Sequence, residues 1–406
     1  MVLESTTYND PADNLGEAFR LLGEFAQNPT EENLGITKED LDAMDERDRG
    51  FMEKLGLLSQ EDPTILRRVI IMRHKLNHNI KLSQLEATEL LEVLECKGFY
   101  LTDLDVSGYI FGEIKMDDAV IGGDLKMNFT QVAGDNLQRR MQVGGNNNQE
   151  GMTVRRDNLQ IEMTVGRDNL QERMTVGRDN RQRGVTVGRD NDQEGMTVGG
   201  NNLQYSMRVE TNNIQTGMAV DGDNAQSDMT VEGDNRQMLM KVQGGNEQTT
   251  MTIKGNNEQV QMTVGMDNQQ DNMVVEGINL QDQMIVRGSN YQQHLVVGKD
   301  NNQVQMIVDM DNQQGNMVVE GINQQEHMII GRNNHQTDAS VEGDNSQNGL
   351  TVKGNNDQST MTVEGDNYQN SMAVEGNNDQ SAMTVEGEND QRNMTSNGAQ
   401  PVTPIK

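Results

Sequence analysis

From residue 136 to residue 391 the chain repeats one hydrophobic and polar pattern every eleven residues, as in "MTVEGDNYQNS" at 361–371. Numbered from that Met, position one is usually Met and position three is Val or Ile. Position seven is Asn in 24 successive repeats, from Asn136 to Asn389, and position nine is Gln in 24, from Gln138 to Gln391. Residues two apart share a face of a strand, so each repeat carries two pairs of same-facing positions. The earliest repeats show that the amide pair also points inward. In "FGEIKMDDAVI" (111–121) and "GGDLKMNFTQV" (122–132), position seven is Ile114 or Leu125 and position nine is Met116 or Met127. Leu and Asn are similar in shape, as are Met and Gln. All four columns are therefore expected in the core.

A buried amide without a hydrogen-bond partner costs about 1–3 kcal/mol. Identical amides stacked about 4.8 Å apart satisfy one another, as in Asn and Gln ladders of cross-β stacks. A ladder needs the same residue at every rung, which accounts for the constancy of columns such as Asn136, Asn257, Asn367 and Gln138, Gln259, Gln369. Such an uninterrupted period predicts a solenoid, each unit packing on its neighbours. One coil holds either eleven residues in two strands or twenty-two in four. Outward position two alternates Val274, Ile285, Val296, Ile307, Val318, Ile329, a period of twenty-two. "MDNQQDNMVVEGINLQ" also returns as "MDNQQGNMVVEGINQQ" 44 residues later, an even multiple, and twenty-two is favoured. Twelve such coils would make a rod of roughly 58 Å.

Ahead of the repeats, 11–100 shows helical periodicity. Leu15, Phe19, Leu22 and Phe25 form one stripe, Thr37 and Asp40 a capping-box variant, and Gly98 a C-cap. The expected fold class is mainly β: a single-stranded parallel β-solenoid of 11-residue repeats with a small N-terminal α-helical domain. Its parts are a head at 1–100, the solenoid at 101–393 and a flexible tail at 394–406. Pro401 and Pro404 in that tail cap the last coil poorly, which leaves its edge open to end-to-end pairing.

Composition alone would suggest disorder. The chain has 406 residues, a net charge of -31, 33% hydrophobic residues and 3% aromatic residues, without Trp. Scattered, that composition buries too little to fold; arranged in columns, it fills a narrow core, with Met as gap-filler. The acidity disfavours general nucleic-acid binding, although 106–199 is close to neutral. The single Cys96 excludes an internal disulfide framework. The start has neither a basic n-region nor an apolar h-region, and no apolar run reaches the roughly 20 residues that span a bilayer. A cytoplasmic protein without a membrane span is expected.

The run "FGEIKMDDAVIGGDLKMNFTQVAGDNLQ" resembles pentapeptide-repeat and related quadrilateral β-helix proteins, whose repeats carry GDL-like runs with paired inward residues. The resemblance covers about 101–393 and its motif is specific at 111–132; the later Asn and Gln columns and the eleven-residue spacing depart from it. It implies a binding or structural role, some members mimicking acidic DNA, and it carries over no functional residue.

Candidate chemistry is sparse. Arg156, Arg167, Arg178 and Arg189 recur at position five and read as one column, a docking strip for a polyanion or acidic partner. The simpler reading is a solvated turn neutralised by Asp157, Asp168, Asp179 and Asp190. Thr153, Thr164, Thr175, Thr186 and Thr197 suggest an ice-binding array but fit an ordinary β-prone position better. Val274 to Ile329 reads as a self-association face. Position six varies too much to supply a calcium loop. His74 and His78 lack a third metal ligand, Cys96 lacks a motif, and no catalytic or cofactor-binding constellation is present. The expected function is a non-enzymatic structural or interaction scaffold that binds a protein partner or itself. The rivals are an acidic nucleic-acid mimic and an ice-binding or adhesive solenoid.

Overall fold

The computed structural model describes Met72, Lys75 and residues 81–94, 100–101 and 103–398. The other expected head helices, His74, His78, Cys96 and residues 399–406 of the expected tail lie outside the described residues.

Residues 136–157 show how one coil closes. Four strands follow in turn: Asn136–Arg139, Gln142–Val143, Asn147–Glu150 and Thr153–Val154, here called sides one to four. Every strand pairs in parallel with its equivalent twenty-two residues on, Asn136 with Asn158 and Gln138 with Gln160 on side one, Asn147 with Asn169 on side three. That register selects the four-sided coil over the eleven-residue one. Sides one and two join in a 20-stranded sheet, and sides three and four each form a 14-stranded sheet. About 13 turns stack in this way, a rod of about 60 Å at the usual strand spacing. The strands continue to Thr395–Ser396, which pair with Ala373 and Val374.

Burial follows the sequence columns. Met and Val of positions one and three are buried on sides two and four, and Asn and Gln of positions seven and nine on sides one and three. Asn136 donates from Nδ2 to Oδ1 of Asn158 (2.6 Å), which donates to Asn180 (2.7 Å), and this ladder runs on to Asn378. A second runs from Asn147 through Asn257, Asn279 and Asn367 to Asn389. The Gln ladders point the other way. Gln160 donates to Gln138 and Gln259 to Gln237, each toward the N-terminus. The two Gln columns also touch across the core: Gln303 donates to Gln292 at 2.6 Å, and beyond it each Gln reaches the one eleven residues earlier, through Gln369 to Gln391. Sides one and three therefore face each other.

At the start of the ladders the rungs above are Ile114 and Leu125, with no amide to donate. Oδ1 of Asn136 and of Asn147 is buried there without a partner. Gln138 finds the sulfur of Met127 at 3.6 Å.

Corners and edges are held by backbone bonds. Position eleven is left-handed at every repeat from Asp118 (φ 56°) to Asn393 (φ 52°), including β-branched Thr250 and Thr360. A non-glycine residue there costs about 1 kcal/mol or more, and the stacked coils impose it. Position six caps the next coil: Oδ1 of Asp157 accepts from the amide of Asp179, and Oδ1 of Asp179 from that of Asn201. At Gly365 a Cβ would lie 2.7 Å from the carbonyl of Gly343, so a side chain there would require the turn to shift. At the N-terminal end, helix α1 (Gln84–Leu94) lies on the first coil. Gln84 accepts from the amide of Ile110 (3.0 Å) and donates to its carbonyl (2.6 Å), occupying both groups of an edge strand. Tyr109 adds a hydrogen bond to the carbonyl of Leu82.

The ladder predicts unequal costs for one substitution at two rungs. Asn257→Leu strands the Nδ2 of Asn235 and the Oδ1 of Asn279, with an expected loss of about 2–5 kcal/mol. Asn136→Leu only moves an existing orphan from Asn136 to Asn158 and should cost about 1 kcal/mol. Denaturation of both variants, with hydrogen exchange of the flanking strands, measures the difference; equal losses would argue against the ladder as the source of stability. Separately, Ala339 stands in the Met column between Met317 and Met361 and borders a small internal void. Ala339→Met should raise stability by about 1 kcal/mol in the same assay.

Candidate functional site

The described structure presents outward columns rather than a cleft, so the site is a set of surfaces. The ladder residues Asn136, Gln138, Asn257, Gln259, Asn367 and Gln369 are all buried. Their chemistry is spent on one another, and any contact with another molecule is made by the outward positions, among them two, four, five, eight, ten and eleven.

The twenty-two-residue coil splits two features that read as single columns in sequence. Arg178 donates its amide to the carbonyl of Arg156 and Arg189 to that of Arg167, so the four arginines form two pairs, one before side one and one before side three. They are exposed and make no ion pair among the described residues. The neighbouring Asp residues form no direct ion pair with them: their Oδ1 atoms accept from backbone amides, and Asp179 pairs with Arg181 at 2.5 Å. The apolar run divides likewise: Val274, Val296 and Val318 stack on side two, Ile285, Ile307 and Ile329 on side four. Each is only 38–44% exposed, and together they make two three-residue stripes instead of one continuous face. The threonines divide too, with Thr153, Thr175 and Thr197 on side four and Thr164 and Thr186 on side two.

Charge is organised by side in the coils between 136 and 216. Side one carries Leu137 and Arg139, Leu159 and Ile161, Arg181 and Arg183, then Leu203 and Tyr205 at positions eight and ten. Side three carries Asn148 and Glu150, Leu170 and Glu172, Asp192 and Glu194, then Ile214 and Thr216. One surface is basic and apolar, the other acidic and apolar. Reading every repeat as one column mixes the two; reading alternate repeats separates them, and that signal was available in the sequence.

Asp192 is the most perturbed group of the acidic surface. Partial burial, followed by the charges of Glu194, Glu172, Asp190 and Asp168, pushes its carboxyl up to about 6. Among the described residues it has no cationic partner, and no group of three or more His, Cys, Asp or Glu side chains there is placed to hold a metal ion. A shallow hollow on side one, lined by Gln269, Asp271, Tyr291 and Gln293, holds one carboxylate and no basic group. No helix of the described residues is long and apolar enough to cross a membrane. No family model, curated protein or solved structure matches the chain.

The raised carboxyl of Asp192 has a definite sign. The native state holds this proton more tightly than the unfolded chain, where an Asp titrates near 4. Stability therefore falls as pH rises from about 4 to about 6, and the whole deficit is present above about 6. Asp192→Asn should raise the denaturation midpoint near pH 7.5 and leave it unchanged near pH 4. A midpoint that moves equally at both values would show that burial and neighbouring charge do not act on Asp192.

Proposed function

We propose that the protein is a non-enzymatic structural or interaction scaffold, a rod that holds outward side chains at set heights and on set sides. One observation carries this reading: both halves of each coil share the same inward code, so outward positions vary without touching the core. Position eight of side one runs through Leu159, Arg181, Leu203, Glu247, Tyr291 and His335 while the flanking Asn and Gln stay constant. A solenoid in which each unit contacts only its neighbours tolerates such variation. Four strands per coil and the GDL run at 123–125 support a place among quadrilateral β-helices. The packing of α1 on the first coil supports the head as a cap, and partner recognition is assigned to head and outward columns together.

Deletions test whether display and core are independent. Removing 246–267, one coil, should shorten the rod by about 5 Å and keep every downstream residue on its side. Removing 257–267, half a coil, should keep all inward columns and transfer each downstream side to the opposite one. Both variants are expected to retain the β spectrum and cooperative melting, with the shortening read by small-angle scattering. Unfolding of either chain would show that outward residues serve the core, and would overturn the display reading.

A further inference from the structure

The two charged surfaces between 136 and 216 are complementary to each other. At positions eight and ten, side one carries Arg139, Arg181 and Arg183 and no acid, whereas side three carries Glu150, Glu172, Asp192 and Glu194 and no base. A basic, apolar sheet face is unusual on a chain of net charge -31, and its match lies on the same molecule, facing away. No rung can fold back to make that contact, because amide bonds such as Gln149 to Gln138 and Asn169 to Gln160 hold sides one and three across the core. Only another molecule brings them together.

The geometry points to a second copy of this chain as the partner: side one of one molecule packs on side three of the next, related by a sideways translation. This rests on the scaffold reading above and names what the scaffold binds. Strands on opposite sides of a closed coil run in opposite directions, so position eight of one side meets position ten of the other. With the neighbour displaced by half a coil, residues eleven apart lie at equal height. Arg181 and Arg183 then oppose Glu194 and Asp192. In the next rung Leu203 and Tyr205 oppose Thr216 and Ile214, and in the preceding one Ile161 opposes Leu170. Leu137 and Arg139 meet Glu150 and Asn148. At the flank, exposed Arg178 stands beside the approaching Glu194. Of the groups of wrong sign nearby, Asp179 is engaged with Arg181 and Arg173 with Glu150, while exposed Arg167 and Arg189 flank the acidic face and oppose the contact in part. Arg183, Asp192 and Glu194 make no ion pair among the described residues, and the contact would supply their counter-charges, while Glu172 faces Leu159.

Four rungs of four residues cover roughly 250 Å², far below the ~800 Å² per partner of a stable interface. A single contact is therefore weak and salt-sensitive. Because each copy keeps one free face of each kind, the association is heterologous and does not close, giving rows of parallel rods.

Sedimentation velocity of the full chain tests this at low and high salt. At roughly 0.3 mM and low ionic strength the weight-average mass should rise toward that of a dimer and beyond, and return to monomer when salt shortens the screening length to about 3 Å. The double variant Arg181→Glu with Arg183→Glu should stay monomeric, as should Asp192→Lys with Glu194→Lys, each with an unchanged far-UV spectrum. Mixed in equal amounts, the two variants should associate again, since each then offers the charge the other has lost. A wild-type chain that is monomeric throughout, or single-face variants that associate as well as wild type, would overturn the proposal. So would a mixture that fails to associate. If the two deletion variants still give folded, shortened rods while association is absent, this inference fails and the scaffold reading stands.

Discussion

A buried amide must be hydrogen-bonded, and nearly every other property of this chain follows from how that condition is met. Asn and Gln at sides one and three are buried, and each bonds to its equivalent one coil away. That demand explains why positions seven and nine are constant where position one is not. Met, Val, Leu and Ala can replace one another in an apolar column at a cost set by shape, as at Val185, Leu295 and Ala339. A missing rung in an amide ladder leaves two groups orphaned. The ladder also requires register, because strands that slipped would place unlike side chains in a column.

Repeating the same inward code in both halves of the coil has a second consequence. The core is nearly symmetric to a half turn, and the outside keeps that symmetry only in part, as in the arginines at position five and the threonines at position two. Side one and side three can therefore bear opposite charges over one core. It is also why a sequence alignment at eleven residues merges surfaces that lie on opposite sides of the rod. The chain's large negative charge is thus not a uniform coat, since the segment from 136 to 205 puts arginine on one face and carboxylates on the other.

The inward columns were legible because a ladder forces residue identity, and the Ile114 and Leu125 rungs showed which way the amides point. Coil size was legible from the alternation of Val and Ile outside the core and from the block that returns after 44 residues. The corner at position eleven was not legible. Its residues include Phe129, Leu239, Thr250 and His294, and glycine is the exception there. Stacked amide bonds dictate that conformation, so no local preference records it. The division of Arg156, Arg167, Arg178 and Arg189 follows from the twenty-two-residue coil, in which adjacency in the repeat is not adjacency in space. The bond between Gln84 and Ile110 joins head to solenoid across 26 residues, and neither partner stands out in its own segment.

The opposed direction of the Asn and Gln ladders bears on how the amide core can begin at all. Each ladder is a line of aligned dipoles, and four lines pointing one way would gather like partial charge at one end. Here two run forward and two back, so the axial dipoles oppose. At the N-terminal boundary the result is a mixed set: carbonyl oxygens of Asn136 and Asn147 without donors, and an amide of Gln138 on the sulfur of Met127. A buried carbonyl is more readily left under-satisfied than a buried N–H. The arrangement places the orphans on oxygen and gives Gln138's N–H a soft acceptor. Methionine at 127 is thus both the last apolar rung and the first partner of the polar one, where an aliphatic side chain such as Leu would leave that N–H unpaired.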